Sequence, residues 1–220
     1  MMNIFKDFLL QLAIIATLVF TFHLFFAERL GKNHFKRVIQ TLLFALSILL
    51  CMSYPASINN HFSLDIRIVP LLLGTLYSGM GTGILLAAII ILYRLYLRID
   101  LGLYTTILTL VISMPVFVIF QKLYIKANMV KRITIALLLS GLYCLVGITS
   151  TYLVGKLSFN IFKAELLHSM ITLAVVFFFV SLDEIIKETL KKNQQLQSKV
   201  KDAEIAFLRS QINPHFYIML

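Results

Sequence analysis

Charge is scarce in this chain. Only 14% of its 220 residues are Asp, Glu, Lys or Arg, ten of them acidic against twenty basic. Soluble domains carry about 25% charged residues, so an ordinary water-facing domain is excluded, as is a disordered tail, which needs charge to stay solvated. Cysteine is nearly absent too. Cys51 and Cys144 each lie inside an apolar run, which excludes a disulfide scaffold and reads as two small hydrophobic side chains in helices, with neither disulfide nor metal expected. What the chain has in excess is hydrocarbon: 60% of its residues are hydrophobic and its mean hydropathy is +0.90. Lipid or other membrane helices have to cover that surface, so the first expected partner is the bilayer.

The net charge of +10 does not point to nucleic acid, because the lysines and arginines fall in short clusters between apolar runs. That is the pattern the positive-inside bias produces. The first run, residues 8–27, follows Lys6. It is longer than the core of a signal peptide and no small-residue cleavage site follows it, so it reads as a span.

Apolar runs cover 8–27, 38–54, 68–93, 101–124, 133–154 and 166–182. Five read as simple spanning helices. The third, IVPLLLGTLYSGMGTGILLAAIIILY, carries Pro70 near its start and Gly74, Gly79, Gly81 and Gly83 in its middle, the residues that most weaken a helix interior. Two topologies follow. The segment 28–37 holds Arg29, Lys32, Lys36 and Arg37, and 121–132 holds Lys122, Lys126, Lys131 and Arg132. If all six runs crossed once, these clusters would face opposite sides. If the third run dips in and returns around Gly79 to Gly83, both clusters and the tail are cytoplasmic, with the N-terminus outside and five full crossings.

Irregular backbone at membrane depth is tolerated where it is buried in protein or lines a cavity, and half-helix N-termini there often face anions. Arg67 and Arg94 bracket the glycine segment, Asp65 precedes it, and Tyr104, Thr105, Thr106 and Thr109 open the next helix. Two guanidiniums folded together would hold a small carboxylate, with a hydroxyl such as that of Thr105 orienting it. The alternatives are arginines that snorkel to headgroups and an Asp65 that only pairs with Arg67.

The stretch LDIRIVPLLLGTLYSGMGTGILLAAIIILYR resembles the core of the LytS/YhcK-type five-transmembrane receptor region, on Arg67, Pro70, Gly74, Gly79, Gly83 and Arg94. The resemblance covers about residues 38–182 and implies a sensory membrane module. Bacterial relatives join this region to histidine kinases or cyclic-dinucleotide enzymes, and some are taken to sense small carboxylates such as pyruvate.

From Asp183 to Gln211 there is no proline or glycine, so a continuous helix is expected. Ile186, Thr189, Asn193, Leu196, Val200, Ala203, Phe207 and Ser210 form a 3,4-spaced seam, a weak coiled coil in which Asn193 would fix register in a homodimer. The alternative is a solvated single helix. The end, AEIAFLRSQINPHF, resembles the phosphoacceptor box of LytS/YehU-type sensor histidine kinases on Leu208, Gln211, Ile212, Asn213, Pro214, His215 and Phe216. The resemblance implies that His215 is phosphorylated, a plausible role for a neutral imidazole nitrogen. It also implies ATP and magnesium in complete relatives. After Phe216 the chain reads Tyr217, Ile218, Met219, Leu220, without the family's further nucleotide-binding boxes. This polypeptide is therefore expected to hold no cofactor and to be inactive as a kinase alone, either truncated or working in trans with an intact kinase and a response regulator.

The expected fold is all-α: a polytopic membrane bundle of five to six spans over residues 1–182, one of them glycine-broken. A cytoplasmic linker helix or coiled coil (183–207) and a phosphoacceptor segment (208–220) follow. The expected location is the bacterial inner membrane, multi-pass, with the tail in the cytoplasm. The rival class is a small transporter subunit for an anionic solute, with the broken run as its substrate site.

Overall fold

The computed structural model describes residues 2–22, 33–59, 62–97, 100–154 and 159–211. They form α1 (Met2–Thr21), α2 (Asn33–Ser53), a ribbon of β1 (Ala56–Asn59) and β2 (Phe62–Leu64), α3 (Ile68–Ser78), α4 (Met80–Leu97), α5 (Leu101–Lys126), α6 (Met129–Val154) and α7 (Phe159–Gln211). The architecture is all-α apart from that short ribbon. Five helices, α2 and α4 to α7, are long and apolar enough to cross a membrane. α1 has 20 residues and only Lys6 and Asp7 for charges.

The third apolar run is two helices. α3 has 11 residues, about 16 Å at 1.5 Å per residue, and is too short to span. It ends at Gly79, whose φ of 105° and ψ of 175° are closed to side-chain-bearing residues. The Gly79 N–H bonds the Thr75 carbonyl at 3.2 Å, and its own carbonyl accepts the Gly83 N–H at 3.1 Å to start α4. α4 then folds back along α3. Gly74 packs against Leu86 and Thr82, and a Cβ at Gly83 would lie 2.6 Å from Thr75 Oγ1, so the two pieces meet where side chains are missing.

Contacts sort the helix ends. At one end Ser78 donates to Gln40 Oε1 of α2 at 3.0 Å, Gly79 lies against Gln121 of α5, and the rings of Tyr77 and Tyr124 are 5.8 Å apart. Arg132 of α6 caps the last carbonyls of α5, reaching Tyr124 O at 3.2 Å and Ile125 O at 3.1 Å. Lys36, Arg37, Lys122, Lys126, Lys131 and Arg132 therefore share this basic end. The third run folds back on itself, as the re-entrant alternative expects, and six simple spans, which would put the clusters at opposite ends, do not fit; of its two helices α4 alone is long enough to cross. Arg29 and Lys32 lie outside the described residues.

At the other end, 55–67 is more than a loop. Ala56 pairs with Leu64 and Ser57 with Ser63 in antiparallel register, and Ala56, Leu64 and Ile66 are buried. Gln11 of α1 clamps both flanks of the ribbon: its Nε2 donates to Tyr54 O at 2.8 Å, and its Oε1 accepts from Ile66 N at 2.9 Å. An apolar bundle has no water to satisfy these backbone groups, so a buried amide does. The core lies around α3, ten of whose eleven residues are buried. Cys51 and Cys144 are buried in α2 and α6.

The chain divides into two compact units, Met1–Val180 and Ser181–Leu220. In the second, α7 continues to Gln211 and is held by ion pairs one turn apart, Lys187 with Asp183 at 2.5 Å and Lys192 with Glu188 at 2.8 Å. Leu196, Val200, Phe207 and Leu208 are exposed.

Candidate functional site

The link between β2 and α3 places Asp65 and Arg67 inside the bundle. Asp65 Oδ1 accepts from Arg67 Nε at 3.3 Å and from the Arg67 backbone N–H at 3.2 Å. Burial is deep: the two side chains are 12% and 8% exposed for Arg67 and Asp65. Pairing of this kind is what a charge in an apolar interior requires. The guanidinium Nη2 donates to Thr106 Oγ1 of α5 at 2.8 Å, and Tyr143 of α6 lies beside it.

Arg94 comes from the last turn of α4 and lies within electrostatic reach of Arg67, Asp100 and Asp65. Its Nη2 occupies the space that a Cβ at Gly102 would take, so the glycine lets the guanidinium lie on the start of α5. Asp100 is the N-cap of that helix, with Oδ1 accepting from Leu103 N at 3.0 Å. The fold-back of α4 along α3 thus brings together two arginines separated by the whole third run. Neither snorkels fully away. Among the described residues Nη1 of Arg67 and Nε of Arg94 are buried with no hydrogen-bond partner of good geometry, although Tyr143 interacts with the Arg67 guanidinium. Buried donors are nearly always satisfied, and two left over on two cations are what a carboxylate accepts from. α3 also begins at Arg67 with no side-chain cap, so its positive N-terminal end adds to the same field.

Of the expected residues, Asp65 and Arg67 are in contact, and Arg94 lies within electrostatic reach of both. Thr105 turns its hydroxyl back to Gly102 O at 3.1 Å, and its neighbour Thr106 makes the arginine contact. Gly74, Gly79 and Gly83 shape the α3–α4 pair and do not line the arginines. Asn213, Pro214, His215 and Phe216 lie outside the described residues, Gln211 is the last described residue of α7, and Leu208 is exposed on α7. Glu165 and His168 of α7 were not among the expected site residues. His168 Nε2 donates to Asp65 O at 3.0 Å, and its ring stacks on Phe8 with centroids 6.0 Å apart.

A bundle of spanning helices around a glycine-broken re-entrant pair, with a buried arginine cluster at its half-helix, is the architecture of a polytopic membrane receptor or carrier. Residues 19–182 match the family model described as the 5TMR of 5TMR-LYT. The chain belongs to that family of five-transmembrane receptor regions. No curated protein and no solved structure matches it.

Proposed function

We propose that this chain is the receptor part of a bacterial two-component sensor, and that it binds a small carboxylate between Arg67 and Arg94. The observation that carries this is a buried donor on each of two guanidiniums, left without a partner among the described residues, with the two cations within electrostatic reach of each other. Arg67 would supply Nη1, Arg94 its Nε, and Thr106 would hold the first guanidinium in place. Family membership supports a sensor over a transporter. The positive-inside bias supports a basic end on the cytoplasmic side of the inner membrane, and the tail would work in the cytoplasm.

Occupancy would bias α7 between two arrangements. A homodimer would pair the seam of Asn193, Leu196, Val200 and Phe207. His215 would take a γ-phosphoryl group from ATP held with magnesium by a catalytic domain on this or another polypeptide, and a response regulator would accept it. The ligand test is calorimetric titration of the full chain in lipid nanodiscs with pyruvate, lactate, acetate and succinate. Saturable binding that is lost in R67Q and R94Q is expected; undiminished binding in both variants would overturn the site. Flux of the bound anion into liposomes would instead favour a transporter.

A further inference from the structure

Beside the arginine site, α7 carries a second pair of ionisable groups that the carboxylate contacts do not use. Glu165 is 7% exposed and His168 8%, both buried inside an apolar bundle, where ionisable side chains persist mainly for function. His168 Nε2 lies 3.0 Å from the Asp65 carbonyl. A carbonyl oxygen only accepts, so Nε2 carries the proton and the neutral ring presents a lone pair at Nδ1. That lone pair faces Glu165 Oε2 at 3.9 Å. Glu165 Oε1 already accepts from Thr151 Oγ1 at 3.2 Å. A lone pair opposite a carboxylate repels; one added proton, held by either group, turns the contact into a charge-assisted hydrogen bond.

We propose that Glu165 and His168 form a proton-binding site that fills together with the anion site, so that the receptor takes up its carboxylate with one proton. This rests on the carboxylate site proposed above. The surroundings favour it. From the β2–α3 link the facing charges are Asp65 and Arg67. From α6 come Thr151, the thiol of Cys144 beside Glu165, and Tyr143 beside Arg67. From α1 the ring of Phe8, uncharged, stacks on His168, and from α2 Cys51 lies near Asp65. Arg94 and Asp100 lie near Arg67. Among the described residues no lysine or arginine lies within ion-pair distance of Glu165. Among the described residues Asp65 pairs with Arg67 and Asp100 lies within electrostatic reach of Arg94, and an ionised Glu165 has no such cation beside it. An incoming carboxylate adds a second negative charge. Asp65 ties the two sites together, its carboxylate on Arg67 and its carbonyl on His168, and by linkage each ligand raises the affinity for the other by the same factor.

The test is pyruvate titration of the full chain in nanodiscs between about pH 6 and 8.5, in buffers of different ionisation enthalpy, which counts protons per anion bound. For the unaltered chain the expected result is uptake of about one proton per pyruvate, with affinity falling by up to about tenfold per pH unit on the alkaline side. E165Q and H168Q should bind pyruvate with near-zero proton uptake and a flat pH profile. Pyruvate binding without proton uptake in the unaltered chain would overturn the proton site and leave the anion site standing, and so would uptake that survives in both variants. If either variant fails to fold, the proton count of the unaltered chain still decides. Absence of binding by pyruvate, lactate, acetate and succinate at every pH would remove the anion site, and the coupled proton site with it.

Discussion

Asp65 holds Arg67 twice, through Nε at 3.3 Å and through the backbone N–H at 3.2 Å. The guanidinium is therefore oriented from within its own tripeptide before any other helix touches it. Replacing Asp65 with Ala leaves a buried cation without its counter-charge, a change that costs about 3–5 kcal/mol where it has been measured. D65A is expected to lower the thermal unfolding temperature of the nanodisc-held chain, and D65N, which keeps an oxygen acceptor, to lower it less. Equal stability of D65A and the parent would show that the pair contributes nothing.

The contact between Arg94 and Gly102 makes a second prediction. In G102A the new methyl displaces the Arg94 guanidinium but touches neither Asp65 nor Arg67. Carboxylate affinity should fall by about tenfold or more, the scale of one charge-assisted hydrogen bond, while the melting temperature changes little. Titration calorimetry beside a melting curve separates the two effects.

Closure of α3 on α4 depends on the space at Gly83. A methyl there meets Thr75 at 2.6 Å from Oγ1 and 2.8 Å from Cγ2. G83A is expected to destabilise by about 1–3 kcal/mol, as overpacking does, and T75A in the same chain to recover most of it. At Gly79 the positive φ admits no such rescue, so G79A should stay destabilised in any background.

Topology can be read by labelling. Gly81 is exposed at the basic end with nothing within 4 Å of a Cβ, and Tyr96 near the end of α4 is 84% exposed. A membrane-impermeant maleimide added to whole cells should label Y96C and not G81C, since the native Cys51 and Cys144 are buried. The reverse pattern would place the basic end outside.

In the tail, Leu196 and Val200 are 59% and 57% exposed on a single chain. If they form a seam between two copies, L196C should give a disulfide-linked dimer on mild oxidation in membranes. A cysteine at Gln195, one position off the seam, should give far less. Similar yields at both positions would indicate an unpaired helix.

Composition alone established the bilayer as solvent, because so few charges cannot cover a soluble surface. The glycine spacing in 74–83 was enough to mark where the third run breaks, since a helix interior disfavours those residues whatever surrounds them. That Arg67 and Arg94 come within electrostatic reach of each other was legible because both stand at the ends of one broken segment, and a fold-back brings such ends nearer. Which hydroxyl meets Arg67 was not. Thr105 and Thr106 differ by a single step on α5, about 100° of rotation, and only the packing of α5 against α3 decides between them. The ribbon clamped by Gln11 was hidden for the same reason: it depends on an amide in α1, 55 residues before Ile66. Glu165 and His168 were further out of reach, since His168 meets Asp65 across 103 residues. Periodicity reports which face of a helix is apolar, but not which distant backbone oxygen that face will meet. The likeness of QINPHF to a phosphoacceptor box rests on local spacing and so is read from the sequence alone, whereas the proposed anion and proton sites would need α1, α3, α4, α6 and α7 to pack together.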